Sequence, residues 1–475
     1  MQEEPFSLRI AQFLTWLMVL KKMHEEYEDS SSRVYSWLGV ESLSHDLRKS
    51  IRARLIVNFP RIFAGNFIII TLTLFYLDTL TPLEVGTVWS VYFTTLALLD
   101  YLSGTLGDAI GYKRVLLGAY ISKAIAMPFL IFGNSFLWYT AFMILLAIGD
   151  SQESGALEAW FDNYYRPRAE TEDPEREIYT QFIARVSPLY NLVTISGFIV
   201  GGFVATEISR LTVFTVYAIL LIFELVLIQI VLWETVDRDA ASKLGGYFKR
   251  IRESLSVFIN SRTIFFYFLG IAAIWAANES VWHTFISIKI YLEYTGSDAG
   301  AGILRSSVFA SAVIWQLLVI KFINRFKRPY LWVFLSTVVS NALFFAMILV
   351  YYQAVPPTGI DILPAVGIIL LYQIPAAWES LQGTLQQRIN LDLIPDEHRN
   401  SLYSLLPTLA RLYGIPFVII TGYVTDIGGF VGSFYWLILV SFIGSILLGI
   451  GLLFGAGSQD ERVDNENLET AYEPE

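Results

Sequence analysis

The sequence predicts an all-α membrane protein with about twelve transmembrane helices arranged as two six-helix halves. Three observations carry that expectation: the composition, the length of the apolar runs, and the alternation of basic residues between connections. Of 475 residues, 55% are hydrophobic and only 16% charged, far more apolar than a soluble core requires. The apolar residues recur in blocks of about 20, the helix length that crosses roughly 30 Å of hydrocarbon. Lys and Arg gather in every second connection, because basic segments resist translocation.

The spans fall at about 56–77, 85–106, 113–133, 136–161, 178–204, 211–233, 263–290, 301–323, 329–352, 363–388, 401–425 and 431–454. Helices fill them rather than barrel strands. A barrel strand alternates in polarity over about ten residues, whereas 211–233 and 431–454 are apolar almost throughout.

One set of connections carries Lys113 and Arg114, then Arg166, Arg168 and Arg176, then Lys249, Arg250 and Arg252, then Arg325, Lys327 and Arg328, then Arg388 and Arg399. The opposite set carries only Arg210. The bias implies an even number of crossings, with both termini in the cytoplasm of a multi-pass protein of the cell membrane. A monomer is expected.

The chain has no cysteine, which excludes disulfides, thiolate metal sites and cysteine nucleophiles. His24, His45, His283 and His398 lack the paired spacing of a metal motif, and no Gly-rich phosphate-binding loop is present. No cofactor, no metal, no nucleic-acid partner and no enzymatic activity are expected. The net charge of −10 owes much to an acidic tail with Asp460, Glu461, Asp464, Glu466, Glu469, Glu473 and Glu475.

The expected organisation is a cytoplasmic segment at 1–54, a six-helix half at 55–233, a cytoplasmic linker at 234–262, a second half at 263–455 and a disordered tail at 456–475. Phe6 to Leu20 is apolar but too short to span comfortably, and reads as an interfacial helix. The linker contains Gly245 and Gly246, followed by Tyr247, Phe248, Ile251 and Leu255 at helical spacing, as in a helix resting on headgroups.

Internal repetition supports the division. Glu153-Ser154 recurs as Glu379-Ser380, and Ala184-Arg185 recurs as Ala410-Arg411, each pair 226 positions apart. Ala64-Gly65-Asn66 similarly matches Ala276-Ala277-Asn278 at an offset of 212. A shared offset across two neighbouring spans indicates duplicated halves.

After span two runs Gly104-Thr105-Leu106-Gly107-Asp108-Ala109-Ile110-Gly111-Tyr112-Lys113-Arg114, a tight turn in which an acid faces basic residues. It resembles the signature loop between helices two and three of the major facilitator superfamily. The resemblance extends over about 55–455 and implies that family's fold. It further implies that Asp108 contacts the opposite half when the protein faces outward, and that Arg114 joins a cytoplasmic charge network. Ala109 and Tyr112 stand where the family usually has basic residues. Ser154 to Asp162 is similar to the end of helix four in several prokaryotic branches, and places Glu158 and Asp162 one turn apart as gate candidates beside Gly104, Asp108, Gly111, Lys113 and Arg114.

Deeper ionisable residues are Asp100, Lys123, Asp150, Glu153, Arg185, Glu224, Glu279, Glu379 and Arg411. A charge in hydrocarbon costs several kcal/mol unless it faces a partner or a watery cavity. Glu153 and Arg185 lie at similar depths and are expected to pair, as are Glu379 and Arg411, either as staples or on a cavity wall. Glu279, beside Asn278, is the first choice for carrying a coupling proton, with Glu224 second. Trp275, Trp282, Tyr190, Tyr372 and Trp378 are expected mainly in packing.

Together these readings imply a secondary active transporter that moves a small solute by alternating access, with proton coupling left open and efflux of a drug-like or other organic solute favoured. The alternatives are transport of an organic or inorganic anion on the same fold, or a membrane receptor or scaffold that has lost transport.

Overall fold

Long apolar runs without a breaker fix long helices, and the computed structural model is helical throughout, with no strand among the described residues. It describes residues 32–234, 255–322, 329–359, 361–394 and 399–470. In order these are α1 (Ser32–Leu38), α2 (His45–Leu77), α3 (Pro82–Ile110), α4 (Tyr112–Ile131), α5 (Phe136–Glu153), α6 (Ala156–Ala169), α7 (Glu177–Glu207) and α8 (Arg210–Val231). They continue with α9 (Arg262–Thr295, π-helical over Ala277–Ile286), α10 (Asp298–Phe322), α11 (Pro329–Ser336, then a π segment Thr337–Ala342, then Leu343–Ala354), α12 (Ile362–Leu393) and α13 (Arg399–Thr470). The described part of each expected span is mostly helical, with a break inside the fourth at Gly155. Among the described residues, seven stretches, namely α2, Pro82–Leu99 of α3, α4, α7, α8, α9 and Leu405–Phe454 of α13, are long and apolar enough to cross a membrane.

Local chemistry sets the boundaries. Thr81 accepts from the Glu84 N–H at 3.3 Å while the Glu84 carboxylate accepts from the Thr81 N–H at 2.9 Å, a reciprocal cap that starts α3 behind Pro82. Ser209 caps α8 and Ser261 caps α9 in the simpler way. Gly111, at φ 96°, makes the turn from α3 into α4.

Three expectations are corrected. The first span extends back to His45, because nothing in 45–55 interrupts a helix and its Leu47 and Ile51 are buried. The expected fourth span is two helices: Gly155, at φ 73°, breaks it between α5 and α6. The eleventh and twelfth spans stay distinct: the run α13 is two helices that meet at Gly429, whose φ of 62° and ψ of −169° are not helical. The acidic tail continues as helix to Thr470, with no proline before Pro474 to stop it. The interfacial helix expected at Phe6 to Leu20 and the linker at Gly245 and Gly246 lie outside the described residues.

In the first half α2 packs on α7 and α8, and α5 on α3 and α4. In the second half α9 packs on α13 and α10 on α12. The halves meet along α3 with α13 and α7 with α10. Polar contacts between them cluster at the helix ends whose connections are poor in basic residues. There Arg210 makes a two-pronged bond to Asp298, 2.8 Å on each prong, and holds Asp78 at 2.5 Å. Close by, the Leu83 N–H donates to Asp426 at 3.1 Å and the Ala299 N–H to Thr206 at 2.8 Å. That face is closed.

Candidate functional site

Two polar cavities lie one in each half. The first holds about 240 Å³ and is lined by Arg61, Trp89, Tyr92, Tyr120, Lys123, Asp150, Glu153 and Tyr217 among apolar neighbours. Helical spacing assembles it: Asn58 and Arg61 are three apart on α2, and Asp150 and Glu153 three apart on α5, so each pair shares a face. Arg61 donates through Nη1 to Glu153 at 2.9 Å and through Nε to Asn58 at 2.8 Å. Lys123 of α4 bonds Glu153 and also Asp150, the latter at 2.5 Å. Tyr92 of α3 donates to the other Asp150 oxygen at 2.7 Å. Two cations and two carboxylates thus neutralise each other through one connected network. Such a network is costly to break at any single member.

Glu224 of α8 is fully buried, and both its carboxylate oxygens lack a hydrogen-bond partner among the described residues.

The second cavity, about 380 Å³, is lined by Ile274, Trp275, Asn278, Glu279, His283, Glu379, Gln382, Gly383 and Gln386. The polar residues come from the π segment of α9 and from one face of α12, where Glu379, Gln382 and Gln386 sit at helical spacing. Glu279 and Glu379 therefore face one space, and among the described residues no Lys or Arg lines it.

The expected pair of Glu153 with Arg185 does not form. Arg185 is exposed on α7 and donates to the carbonyls of Ser36 at 3.1 Å and Trp37 at 2.6 Å, capping the C-terminal end of α1. Glu153 takes Arg61 and Lys123 instead. Glu379 lines the second cavity, and Arg411 lies half-buried on α13.

Of the gate candidates, Gly104 and Asp108 lie on α3, but their side-chain surroundings fall outside the described residues. Lys113 donates to the Gln229 carbonyl at 2.9 Å. Arg114 faces Glu234 at 3.7 Å rather than the acids of α6. Glu158 faces Arg61 at 3.8 Å, and Asp162 sits half-buried one turn further along α6. Sequence reasoning missed Arg61, Arg305 and His283. Arg61 and Arg305 stand near the ends of the spans expected at 56–77 and 301–323, where depth along the helix does not single them out.

The family model described as Major Facilitator Superfamily matches residues 55–378. The chain belongs to the major facilitator superfamily. Solved structures agree in fold: the nucleoside transporter NupG matches with a TM-score of 0.65 at 16% identity, covering 86% of this chain and 98% of that one. A POT family transporter in complex with 5-aminolevulinic acid matches at 0.63 and 12%, covering 85% and 95%. The peptide transporter POT in complex with sulfate matches at 0.65 and 13%, covering 87% and 94%. No curated protein matches the sequence. At such identities the likeness is one of fold. What distinguishes this superfamily member must be read from its own residues: a self-neutralised ion network in one half and two acids facing a cavity in the other.

Proposed function

We propose that the protein is a secondary active transporter working by alternating access, with the two cavities forming its solute pathway and a polar organic cation or zwitterion as its solute. The observation that carries this is the placement of Glu279 and Glu379 around one cavity of about 380 Å³ that no Lys or Arg among the described residues lines. Two acids lining one cavity suit an ammonium or guanidinium group from outside. Anion transport is less well supported. Arg61 and Lys123 are each bound to carboxylates, so an anion would have to displace Glu153 or Asp150.

The basic-loop bias supports cytoplasmic termini in the cell membrane. On that orientation the closed face carrying Arg210 is extracellular, and this conformation faces inward. The gate would run through the turn at Gly111 with Asp108, Arg114 and Glu158. We take Glu224 as the carrier of a coupling proton, because a carboxyl buried without partners is far less costly neutral than ionised. Glu279 and Glu379 would bind the solute, with Asn278 beside them. Coupling a proton to a cation favours efflux by exchange, with the protein acting as a monomer.

Melting of the purified protein in detergent against organic cations, zwitterions and anions tests the solute class. A cation or zwitterion should raise the melting temperature, and the rise should vanish in Glu279→Gln with Glu379→Gln. Stabilisation by anions alone, retained in that double variant, would refute it.

A further inference from the structure

Helix α9 is π-helical over Ala277–Ile286, a rare geometry whose hydrogen bonds reach five residues back rather than four. Thr284 Oγ1 bonds the Glu279 carbonyl at 2.6 Å, and the Ser287 N–H still reaches five back, to Trp282. From Ser287 onward the helix is α; an α-type bond from the next N–H runs to Thr284, so the change of register passes over one carbonyl, that of His283. A buried carbonyl without a donor is costly.

Arg305 of α10 supplies the donor. Its Nη1 meets the His283 carbonyl at 3.0 Å. The guanidinium is buried, 6% exposed, and lies 5.1 Å from the ring centroid of Phe198 on α7, in the opposite half, and 5.9 Å from that of Phe309. The neighbouring Thr284 carbonyl accepts from Thr73 of α2, also in the opposite half, at 2.8 Å. The π segment is thus held at its end by one cation and one hydroxyl. The Thr73 bond and the stacking of Arg305 on Phe198 cross between the halves, whereas the Arg305 bond to His283 lies within the second half.

We propose that Arg305 is a positioning residue: by filling the carbonyl skipped at the π-to-α junction, and by stacking on Phe198 across the half interface, it holds Asn278 and Glu279 toward the cavity only while the Arg210 face is closed. When the halves part there, Phe198 and Thr73 withdraw, the junction loses its support and the segment relaxes to α. Recovering one residue of register turns the part of α9 before the junction by about 100° relative to the part after it, since an α-helix has 3.6 residues per turn. Asn278 and Glu279 then leave the cavity wall. The inference gives the acids of the proposed solute site their state dependence, and rests on that reading for its purpose.

The chain has no cysteine, so Asn278→Cys gives a clean reporter, labelled by a membrane-impermeant thiol reagent in vesicles exposing the basic face. The readout needs no solute, so it stands or falls apart from transport. Arg305→Met should slow labelling about tenfold or more, as expected for losing a hydrogen bond from a buried charge. Arg305→Lys, which keeps a donor, should recover much of the rate. If Arg305→Met does not accumulate in the membrane, Thr73→Val decides the matter, with labelling about fivefold slower for one neutral hydrogen bond. Labelling at the parental rate in the variant that decides would overturn the assignment.

Discussion

Arg61 and Glu153 meet at 2.9 Å between α2 and α5, and the same carboxylate also binds Lys123 from α4. One acid therefore ties three helices of the first half. Its side chain is 12% exposed and that of Lys123 is 7% exposed, so neither charge has enough water to stand alone. Lys123→Met should lower stability by about 3–5 kcal/mol, the usual cost of stranding buried charges. Lys123→Met combined with Glu153→Gln should lose clearly less than the sum of the two single changes. Thermal unfolding in detergent of the single and double variants measures both. Additive losses would mean the two groups do not interact.

At the closed face, Arg210→Met removes the link from α8 to Asp298 of α10 and leaves Asp78 unpaired by it. The closed population should fall, because the lost contacts exist in only one of two states. A cysteine at Ala301, fully buried behind the gate, should then label at least several-fold faster from the face that carries Gly359. Labelling at the parental rate would remove Arg210 from the gate.

Adjacent glycines on α7 should behave differently. A side chain at Gly201 would strike the Phe67 carbonyl within its own half, whereas one at Gly202 would lie 2.5 Å from the Asp298 carbonyl across the half interface. Gly201→Val should destabilise the fold by about 1–3 kcal/mol through overpacking. Gly202→Val should leave melting nearly unchanged, because the halves can relieve the clash by opening, and should speed labelling at the Ala301 reporter. Equal losses of melting temperature in both variants would contradict the distinction.

Sidedness follows from the basic loops. Cysteines at the exposed Glu175, between α6 and α7, and at Gly359, between α11 and α12, should label from opposite sides of sealed vesicles. Labelling from one side would invert the even-numbered topology.

The helices were legible because span length and loop charge are properties of the chain itself. The site was legible only in part, because pairing depends on which face of a helix a residue occupies. Glu153 and Glu379, matched by an offset of 226, do occupy cavity walls in the two halves. Arg185 belongs to the same repeat but turns outward onto α1, a helix the repeat does not contain. Arg61 stands only five residues into the span expected from about 56, where depth gives no signal of a buried role. With α2 starting at His45, it lies 16 residues in, about 24 Å along the helix. The π segment has no signature in composition. It becomes visible only through the His283 carbonyl that Arg305 fills.

The most direct test of the central claim is flux through the purified protein in sealed proteoliposomes, with radiolabelled organic cations and zwitterions offered with and without a pH gradient. The proposed function predicts that at least one such solute crosses, that the gradient accelerates it, and that Glu279→Gln with Glu379→Gln abolishes its movement while Glu224→Gln removes the acceleration. Protein that folds and inserts normally yet moves none of these solutes, or moves one equally well in all variants, would contradict it.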